Sequence, residues 1–303
     1  MRILVTDGMA KSAVAELQNA GFEVVDQFYE PDQLGKALQE FDAVVVRSKT
    51  KVRENHIDEA LATGKLKLIV RGGVGVDNID VKYAEEHGIA VRNTPTASSH
   101  SVAELALAHM FACARFISIA GQTMREGKWE KKAYGKGFEL QGKTLGIIGY
   151  GRIGKHLGDM AQALGMNVLA YNRHPESITE CESLHYATQE EIIAKADFIS
   201  LHTPAIAGKP LINAESIAAM KDGAVLINTS RGANVDEQAL LDALNSGKIR
   251  AAGLDVWAEE PTKNEALYSH PHVSCTPHIG AATGEAQGRV GAEVADTIKK
   301  FFA

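Results

Sequence analysis

Arg231, a carboxylate within Glu259-Glu260-Pro261, and His278 are residues whose chemistries complement one another. Each follows a short apolar run of strand character. Ala224 to Asn228 leads into Thr229-Ser230-Arg231-Gly232, Ala251 to Asp255 into Glu259-Glu260-Pro261, and Val273 to Thr276 into Pro277-His278-Ile279-Gly280. If these strands lie parallel in one sheet, the three loops share the edge where such sheets bind ligands. A protonated histidine can pass its proton to a developing alkoxide. A carboxylate can hold the imidazole and favour its protonated form, while an arginine polarises a carbonyl and clamps a neighbouring carboxylate. Reduction of a keto group by hydride transfer needs these parts, and positioned acid catalysis of this kind contributes on the order of 10²–10⁴-fold.

The hydride donor has its own signal. Leu145-Gly146-Ile147-Ile148 runs straight into Gly149-Tyr150-Gly151-Arg152-Ile153-Gly154, a Gly-x-Gly-x-x-Gly turn after a strand. Gly149 permits the tight turn, Gly151 lets the backbone approach a pyrophosphate, and Gly154 lets helix and strand pack closely. The pyrophosphate would rest on unpaired amides at the positive end of the following helix. That helix is an amphipathic run from Lys155 to Leu164, closed by Gly165, and Asn167 to Tyr171 completes the βαβ unit.

Two arrays of alternating strand and helix patterns must position these loops. The first holds strands at Ile3 to Thr6, Glu23 to Asp26, Ala43 to Arg47, Leu66 to Arg71 and Ala90 to Asn93, with helices near Lys11 to Ala20, Asp32 to Glu40 and Val81 to His87. The second holds Thr144 to Ile148, Asn167 to Tyr171, Phe198 to His202, Ala224 to Asn228, Ala251 to Asp255 and Val273 to Thr276. Such alternation is the sign of a parallel sheet covered by helices. One long helix, opening near Ser98 to Ser101 and running toward Arg125, links the arrays, and a last helix from about Gly284 to Phe301 is expected to return to the first domain. The expected fold is α/β, with two Rossmann-like parallel-sheet domains. A dinucleotide-binding domain, residues 98–282, is inserted into a discontinuous flavodoxin-like substrate domain, residues 1–97 and 283–303.

A length of 303 residues suits two domains, and 45% hydrophobic with 23% charged residues is the composition of a soluble globular chain. The net charge of −6 argues against nucleic-acid and membrane-surface partners, so a small anionic substrate must be met by local cations. Cys113, Cys181 and Cys275 are scattered without Cys-x-x-Cys spacing, which fits a reducing compartment. The start reads as a strand with no signal segment, and the apolar helix from Leu105 to Ala120 is interrupted by His109 and Arg115, so a cytoplasmic protein is expected.

The chain resembles the D-isomer-specific 2-hydroxyacid dehydrogenases over nearly its whole length, and within them the phosphoglycerate dehydrogenase branch. The residues that carry the resemblance are Arg71-Gly72-Gly73-Val74-Gly75-Val76-Asp77-Asn78, Asn93-Thr94-Pro95, Ser101 to Leu105, Gly127-Lys128-Trp129-Glu130 and Leu140 to Thr144. They continue with the Gly-rich turn, Asn228 to Asp236, Gly253-Leu254-Asp255-Val256-Trp257 with Glu260-Pro261, and Thr276 to Ala281. The resemblance implies a dehydrogenase with Arg231, Glu260 and His278 in the catalytic positions. It places the cofactor against Gly149, Tyr150, Gly151, Arg152, Ile153 and Gly154, then Asn172 and Arg173, and His202, Thr203 and Pro204. Further cofactor positions are Thr229, Ser230, Arg231, Asp255, His278, Gly280 and Ala281. The backbone of Gly73, Val74 and Gly75 would meet a substrate carboxylate beside Arg71, and the cations of Arg47-Ser48-Lys49 a substrate phosphate. The implied reaction is oxidation of 3-phospho-D-glycerate to 3-phosphohydroxypyruvate, the entry to serine, by a homodimer with the Leu105 to Ala120 helix at its interface. A glyoxylate or hydroxypyruvate reductase, or a D-lactate dehydrogenase, would share the same three residues. From another class, a non-catalytic nucleotide-sensing corepressor would keep the fold without needing the triad.

Two departures from the family pattern bear on function. The strand after the Gly-rich turn ends in Tyr171-Asn172-Arg173-His174, where the family usually has an Asp for the ribose hydroxyls. NAD is the family cofactor, but an Asn without charge followed by an Arg also admits the 2′-phosphate of NADP. The loop Ala205 to Pro210 is shorter than usual and lacks the customary threonine. The chain also ends at Ala303, so neither a C-terminal regulatory domain nor serine feedback through one is expected. His270, His272, Cys275 and His278 suggest a metal, yet alternation along a strand turns His272 and Cys275 to opposite faces, so no metal is expected. His100 and His109 read as packed or capping residues, and Lys131, Lys132 and Lys136 as a weaker phosphate site.

Overall fold

The structure is a computed structural model that describes residues 1–205 and 208–303. The chain divides into two compact units, Met1–Ser98 with Ala281–Ala303, and Ser99–Gly280.

The first unit alternates β1 (Arg2–Val5), α1 (Lys11–Asn19), β2 (Glu23–Asp26), α2 (Pro31–Leu38), β3 (Ala43–Val46), α3 (Glu54–Leu61), β4 (Leu68–Arg71), α4 (Val81–Glu86) and β5 (Ala90–Asn93). Its five strands pair parallel in the order β2-β1-β3-β4-β5, the flavodoxin-like order. The central strand β3 reads Ala-Val-Val-Val with every residue buried, as a strand covered on both faces requires. Alternation sorts these side chains. Leu4, Val44, Val46 and Ile69 face Leu34, Leu38 and Ile57, whereas Ile3, Val5, Val45 and Val70 face Leu17, Val294 and Ile298.

The second unit begins with α5 (Ser99–Arg115) and α6 (Ile117–Arg125), then β6 (Thr144–Ile148), α7 (Arg152–Ala163), β7 (Asn167–Tyr171), β8 (Leu184–Tyr186), α8 (Gln189–Lys195) and β9 (Phe198–Leu201). It continues through α9 (Ala214–Ala219), β10 (Ala224–Asn228), α10 (Glu237–Ser246), β11 (Ile249–Leu254), α11 (Glu265–Tyr268) and β12 (Val273–Cys275). The seven strands are parallel in the order β12-β11-β10-β9-β6-β7-β8, a doubly wound sheet that reverses between β6 and β9. Ligands of such sheets bind beyond the carboxyl ends of the strands at that reversal. The chain then returns to the first unit as α12 (Gly284–Phe301), capped by Thr283, whose hydroxyl accepts the amide of Ala286 at 3.1 Å.

Several elements differ from the sequence expectation, among them α3, for which no helix was expected between Arg47 and Leu66. The single helix expected toward Arg125 is two helices, bent by 68° at Phe116, which adopts a left-handed backbone with φ 57°. The Ala114 carbonyl accepts the amide of Phe138 at 3.1 Å, so this orphan of the α5 terminus is satisfied by a distant loop. The edge strand β8 gives no clear sequence signal because it has three residues and buries only Leu184. No single helix among the described residues is long and apolar enough to cross a membrane.

Candidate active site

The carboxyl ends of β6, β9, β10, β11 and β12 carry the residues singled out by their chemistry. Gly149, with φ 101°, follows β6, and a Cβ there would lie 2.6 Å from the carbonyl oxygen of His202 at the end of β9. A Cβ on Gly154 would lie 2.7 Å from the Gly149 carbonyl and 3.0 Å from Ile147 Cγ2, so α7 meets β6 only through glycine. A Cβ on Gly151 would touch nothing within 4 Å, and α7 starts there with no side chain capping its first amides. The amides of Gly149, Tyr150 and Gly151 are bonded to backbone carbonyls, and it is the first turn of α7 that keeps uncapped N–H groups of the kind that hold a pyrophosphate. Thr229 Oγ1 is buried without a hydrogen-bond partner among the described residues. An open glycine, an uncapped helix start and a buried hydroxyl fit a bound dinucleotide.

Around this cradle the sequence-expected positions divide by what they already do. Tyr150 is buried, with its phenol pushed up to about 12 by burial first and the nearby charges of Asp159 and Cys181 second. Asn172 donates from Nδ2 to the Tyr150 carbonyl at 2.9 Å and accepts the His174 amide at 3.3 Å. Its side chain therefore clasps the turn, while Arg152 and Arg173 are exposed. The ring of His202 meets Ser200 Oγ at 2.8 Å through Nε2, and Nδ1 is enclosed without a partner among the described residues; burial pushes the imidazole down to about 4. Thr203 offers its carbonyl to Asn234 Nδ2 at 3.0 Å, and Pro204 follows it in the loop. The expectation for the loop Ala205 to Pro210 falls partly on Ile206 and Ala207, outside the described residues.

Arg231 sits in a loop built by buried amides. Asn228 donates to the Arg231 carbonyl at 2.8 Å and accepts both the amide and the hydroxyl of Ser230, at 3.1 and 2.8 Å. A Cβ at Gly232 would fall 1.9 Å from the Trp257 carbonyl oxygen, so the loop after β10 can press against the loop after β11. Across that contact Glu260 accepts the Trp257 amide on Oε1 at 3.2 Å and meets His278 Nδ1 through Oε2 at 2.7 Å. Burial alone would raise the Glu260 carboxyl, but the hydrogen bond and charge of His278, the Trp257 amide and the Arg231 charge outweigh it and hold the carboxyl below its ordinary value. Its ionised form is the one favoured beside the ring.

His278 itself adopts a left-handed backbone, φ 54°, uncommon for a residue with a side chain. Asp255, 1% exposed, accounts for that geometry. Its carbonyl accepts the His278 amide at 2.8 Å, its Oδ1 accepts the Ile279 amide at 2.7 Å, and its Oδ2 accepts the Gly280 amide at 2.8 Å. Ala281, in the other unit, accepts Gln287 Nε2 at 2.6 Å. Trp257 and Thr276, which no sequence motif marked individually, complete the support. Indole Nε1 of Trp257 reaches the Thr276 carbonyl at 3.2 Å, and the Thr276 hydroxyl donates to Asp255 at 2.6 Å.

In the first unit, Asp7 accepts the amides of Arg47 and Thr50 at 2.7 and 3.0 Å and shapes the loop after β3. Arg47, Ser48 and Lys49 line an open pocket of about 430 Å³ with Thr6, Asp7 and Phe28. Lys49 Nζ lies 3.7 Å over the Phe28 ring. After β4, Gly73 has φ 150°, and a Cβ there would lie 1.3 Å from Arg71 Nη1, so only glycine lets the Arg71 guanidinium lie along the loop. Asn93 fixes the Val74 carbonyl at 2.6 Å, and Gly75 follows in the loop. Among the described residues no group of three or more His, Cys, Asp or Glu is placed to hold a metal ion.

A doubly wound sheet with a glycine cradle at its reversal, and a histidine–carboxylate pair beside an arginine on the same edge, defines a dinucleotide-dependent dehydrogenase class. Residues 107–280 match the family described as D-isomer specific 2-hydroxyacid dehydrogenase, NAD binding domain, and the chain belongs to that family. It is 48% identical over 305 residues to the hydroxypyruvate reductase of Thermotoga maritima, covering 99% of this chain and 97% of that one. It is 45% identical over 305 residues to the D-3-phosphoglycerate dehydrogenase of Methanocaldococcus jannaschii, covering all of this chain and 57% of that one. Among solved structures it resembles an NADPH-dependent glyoxylate/hydroxypyruvate reductase from Sinorhizobium meliloti in complex with NADP and malonate. That similarity has a TM-score of 0.84 at 30% identity and covers 100% of this chain and 93% of that one. The protein is thus an NAD-binding oxidoreductase of the D-2-hydroxyacid dehydrogenase family.

Proposed function

We propose that the protein interconverts 3-phospho-D-glycerate and 3-phosphohydroxypyruvate with NAD(P), and that Arg231, Glu260 and His278 carry the chemistry. The observation behind the chemistry is the 2.7 Å contact of His278 Nδ1 with Glu260 Oε2, which leaves Nε2 as the nitrogen that gives a proton to the substrate oxygen. The nicotinamide of the cofactor supplies or accepts the hydride. Glu260 orients the ring and favours its charged form, and Arg231 polarises the carbonyl and pairs with the substrate carboxylate. The Ser99–Gly280 unit is the cofactor domain in this reading, and the other unit is the substrate domain, where Gly73 to Gly75 meet the carboxylate. Preference for a phosphorylated acid is supported by Arg47 and Lys49 at one pocket. A cytoplasmic homodimer is part of the proposal. Its support is the unpaired state of Cys113, Cys181 and Cys275, and exposed apolar residues of α5, α6 and the chain after them, namely Phe111, Ile117, Met124 and Trp129.

A second reading, hydroxypyruvate reduction, is favoured by the 48% identity to a hydroxypyruvate reductase along 97% of its length. Initial rates of phosphohydroxypyruvate, hydroxypyruvate and glyoxylate reduction, with NADH and with NADPH, on wild type and Lys49→Ala, separate the two. Preference for the phosphorylated acid, weakened by Lys49→Ala, supports the first reading. Faster turnover of hydroxypyruvate or glyoxylate with no effect of Lys49→Ala gives the protein to the second.

A further inference from the structure

A chain of hydrogen bonds runs behind His278 and ends on Asp255. Ser118 Oγ donates to Ser274 Oγ at 3.0 Å, Ser274 Oγ meets His109 Nδ1 at 2.9 Å, and His109 Nε2 meets Thr276 Oγ1 at 3.1 Å. Thr276 then donates to Asp255 Oδ1 at 2.6 Å. His109, Ser274 and Asp255 are 3%, 7% and 1% exposed, so the middle of the chain is shielded from water, while Ser118 at its outer end is exposed and Thr276 is half-buried.

The direction of every bond follows from proton counting. An ionised Asp255 only accepts, so the single Thr276 proton goes to it, and Thr276 must accept from His109. His109 therefore carries its proton on Nε2, and Nδ1 accepts the Ser274 hydroxyl, which in turn accepts from Ser118. Each dipole points toward the Asp255 charge, an order in which hydrogen bonds strengthen one another. Burial lowers the basicity of His109 more than the Asp255 charge restores it, which keeps the ring neutral as this order needs. Among the described residues the charge acting on His109 is that of Asp255, and burial pushes the thiol of Cys113, four residues further along α5, up to about 12, so it stays uncharged. Room for the ring is built into β11: a Cβ at Gly253 would lie 2.5 Å from His109 Cβ.

We propose that His109 is a positioning residue for the reaction: through Thr276 it locks the Asp255 carboxylate, whose grip on the Ile279 and Gly280 amides aims His278 at Glu260. The proposal rests on the reading of His278 as the proton donor. The titratable groups facing the His278 segment are Glu260, with Arg231 behind it, and Asp255.

The test compares His109→Leu, His109→Gln and Thr276→Val with wild type. One readout is keto-acid reduction, and the other is ring NMR of His278 without substrate. Expected are wild-type dinucleotide binding, a kcat about tenfold lower at nearly unchanged KM for His109→Leu and Thr276→Val, and an alkaline fall-off at lower pH. Partial recovery is expected in His109→Gln, whose amide can still donate to Thr276. By NMR, His109 of wild type carries its proton on Nε2 at neutral pH, and the protonation midpoint of His278 drops in both disruptive variants. Folded His109→Leu with unchanged kcat and an unchanged His278 titration would reduce His109 to packing. If His109→Leu does not fold, Thr276→Val decides by the same criteria. A wild type that reduces none of the acids sinks the dehydrogenase assignment, and the NMR titration still decides whether His109 positions His278.

Discussion

Oε2 of Glu260 lies 2.7 Å from Nδ1 of His278, although the two residues come from loops after different strands. In the proposed reaction the contact leaves Nε2 as the ring nitrogen for the reacting carbonyl. His278→Ala is expected to lower kcat by about 10²–10⁴-fold while leaving the fold intact, since positioned acid catalysis is of that size. Glu260→Gln keeps a hydrogen-bond acceptor but removes the charge that favours the imidazolium. Its alkaline fall-off in keto-acid reduction should move to lower pH. Steady-state rates from pH 5 to 9 on both variants check this, and a Glu260→Gln profile superimposable on wild type would count against the pair.

Gly151 and Gly154 of the β6–α7 turn should fail in different ways. In Gly151→Ala the new methyl meets no protein atom, so stability should be unchanged. NADH affinity should fall about tenfold or more, because the methyl occupies the approach to the pyrophosphate. Gly154→Ala drives a methyl to 2.7 Å from the Gly149 carbonyl and should cost on the order of 1–3 kcal/mol of stability. Chemical denaturation and calorimetric titration of the pair read the two effects separately.

Because Asn172 spends both ends of its amide on the turn, it offers no carboxylate to ribose hydroxyls, and the exposed Arg173 is the cation next to it. Arg173→Ala is expected to weaken NADPH binding several-fold and leave NADH binding unchanged. Direct titration with both nucleotides, with no substrate present, measures this. Equal losses for the two would show that Arg173 does not read the 2′-phosphate.

Acid should destabilise the fold through its buried rings. Burial brings His202 from an ordinary value near 6.5 down to about 4, and it lowers His109 as well. Over the window between those values the unfolded chain takes up a proton at position 202 that the folded chain refuses. Stability is therefore full above about pH 6.5 and declines as the pH falls toward 4. Glu260, held below its ordinary value, adds a loss of the same sign as the pH falls through its folded midpoint. Melting temperatures at pH 7, 6 and 5 should fall, and less steeply in His202→Gln. Identical slopes in the two proteins would remove His202 as a cause.

Much of the molecule was legible because its signals are local. Alternating apolar runs foretold the parallel strands, since a strand buried on both faces, such as Ala43–Val46, can be little else. Glycine at positions 149, 151 and 154 foretold the cradle, because each spacing answers a steric need of a single turn. The break at Phe116 was hidden, because nothing in Ala114-Arg115-Phe116-Ile117 forbids a continuous helix; what stops it is the Phe138 amide, 24 residues away along the chain. Asn172 was readable as a missing carboxylate but not as a clasp on Tyr150, and His109 was readable as a buried histidine but not as the ring linking Ser274 to Thr276. The sequence alone determined which residue types stand after which strands. Only the tertiary structure decided which of their atoms meet, since a hydrogen bond between residues 109 and 276, or 260 and 278, depends on where α5, β11 and β12 lie in space, a relation no local pattern encodes.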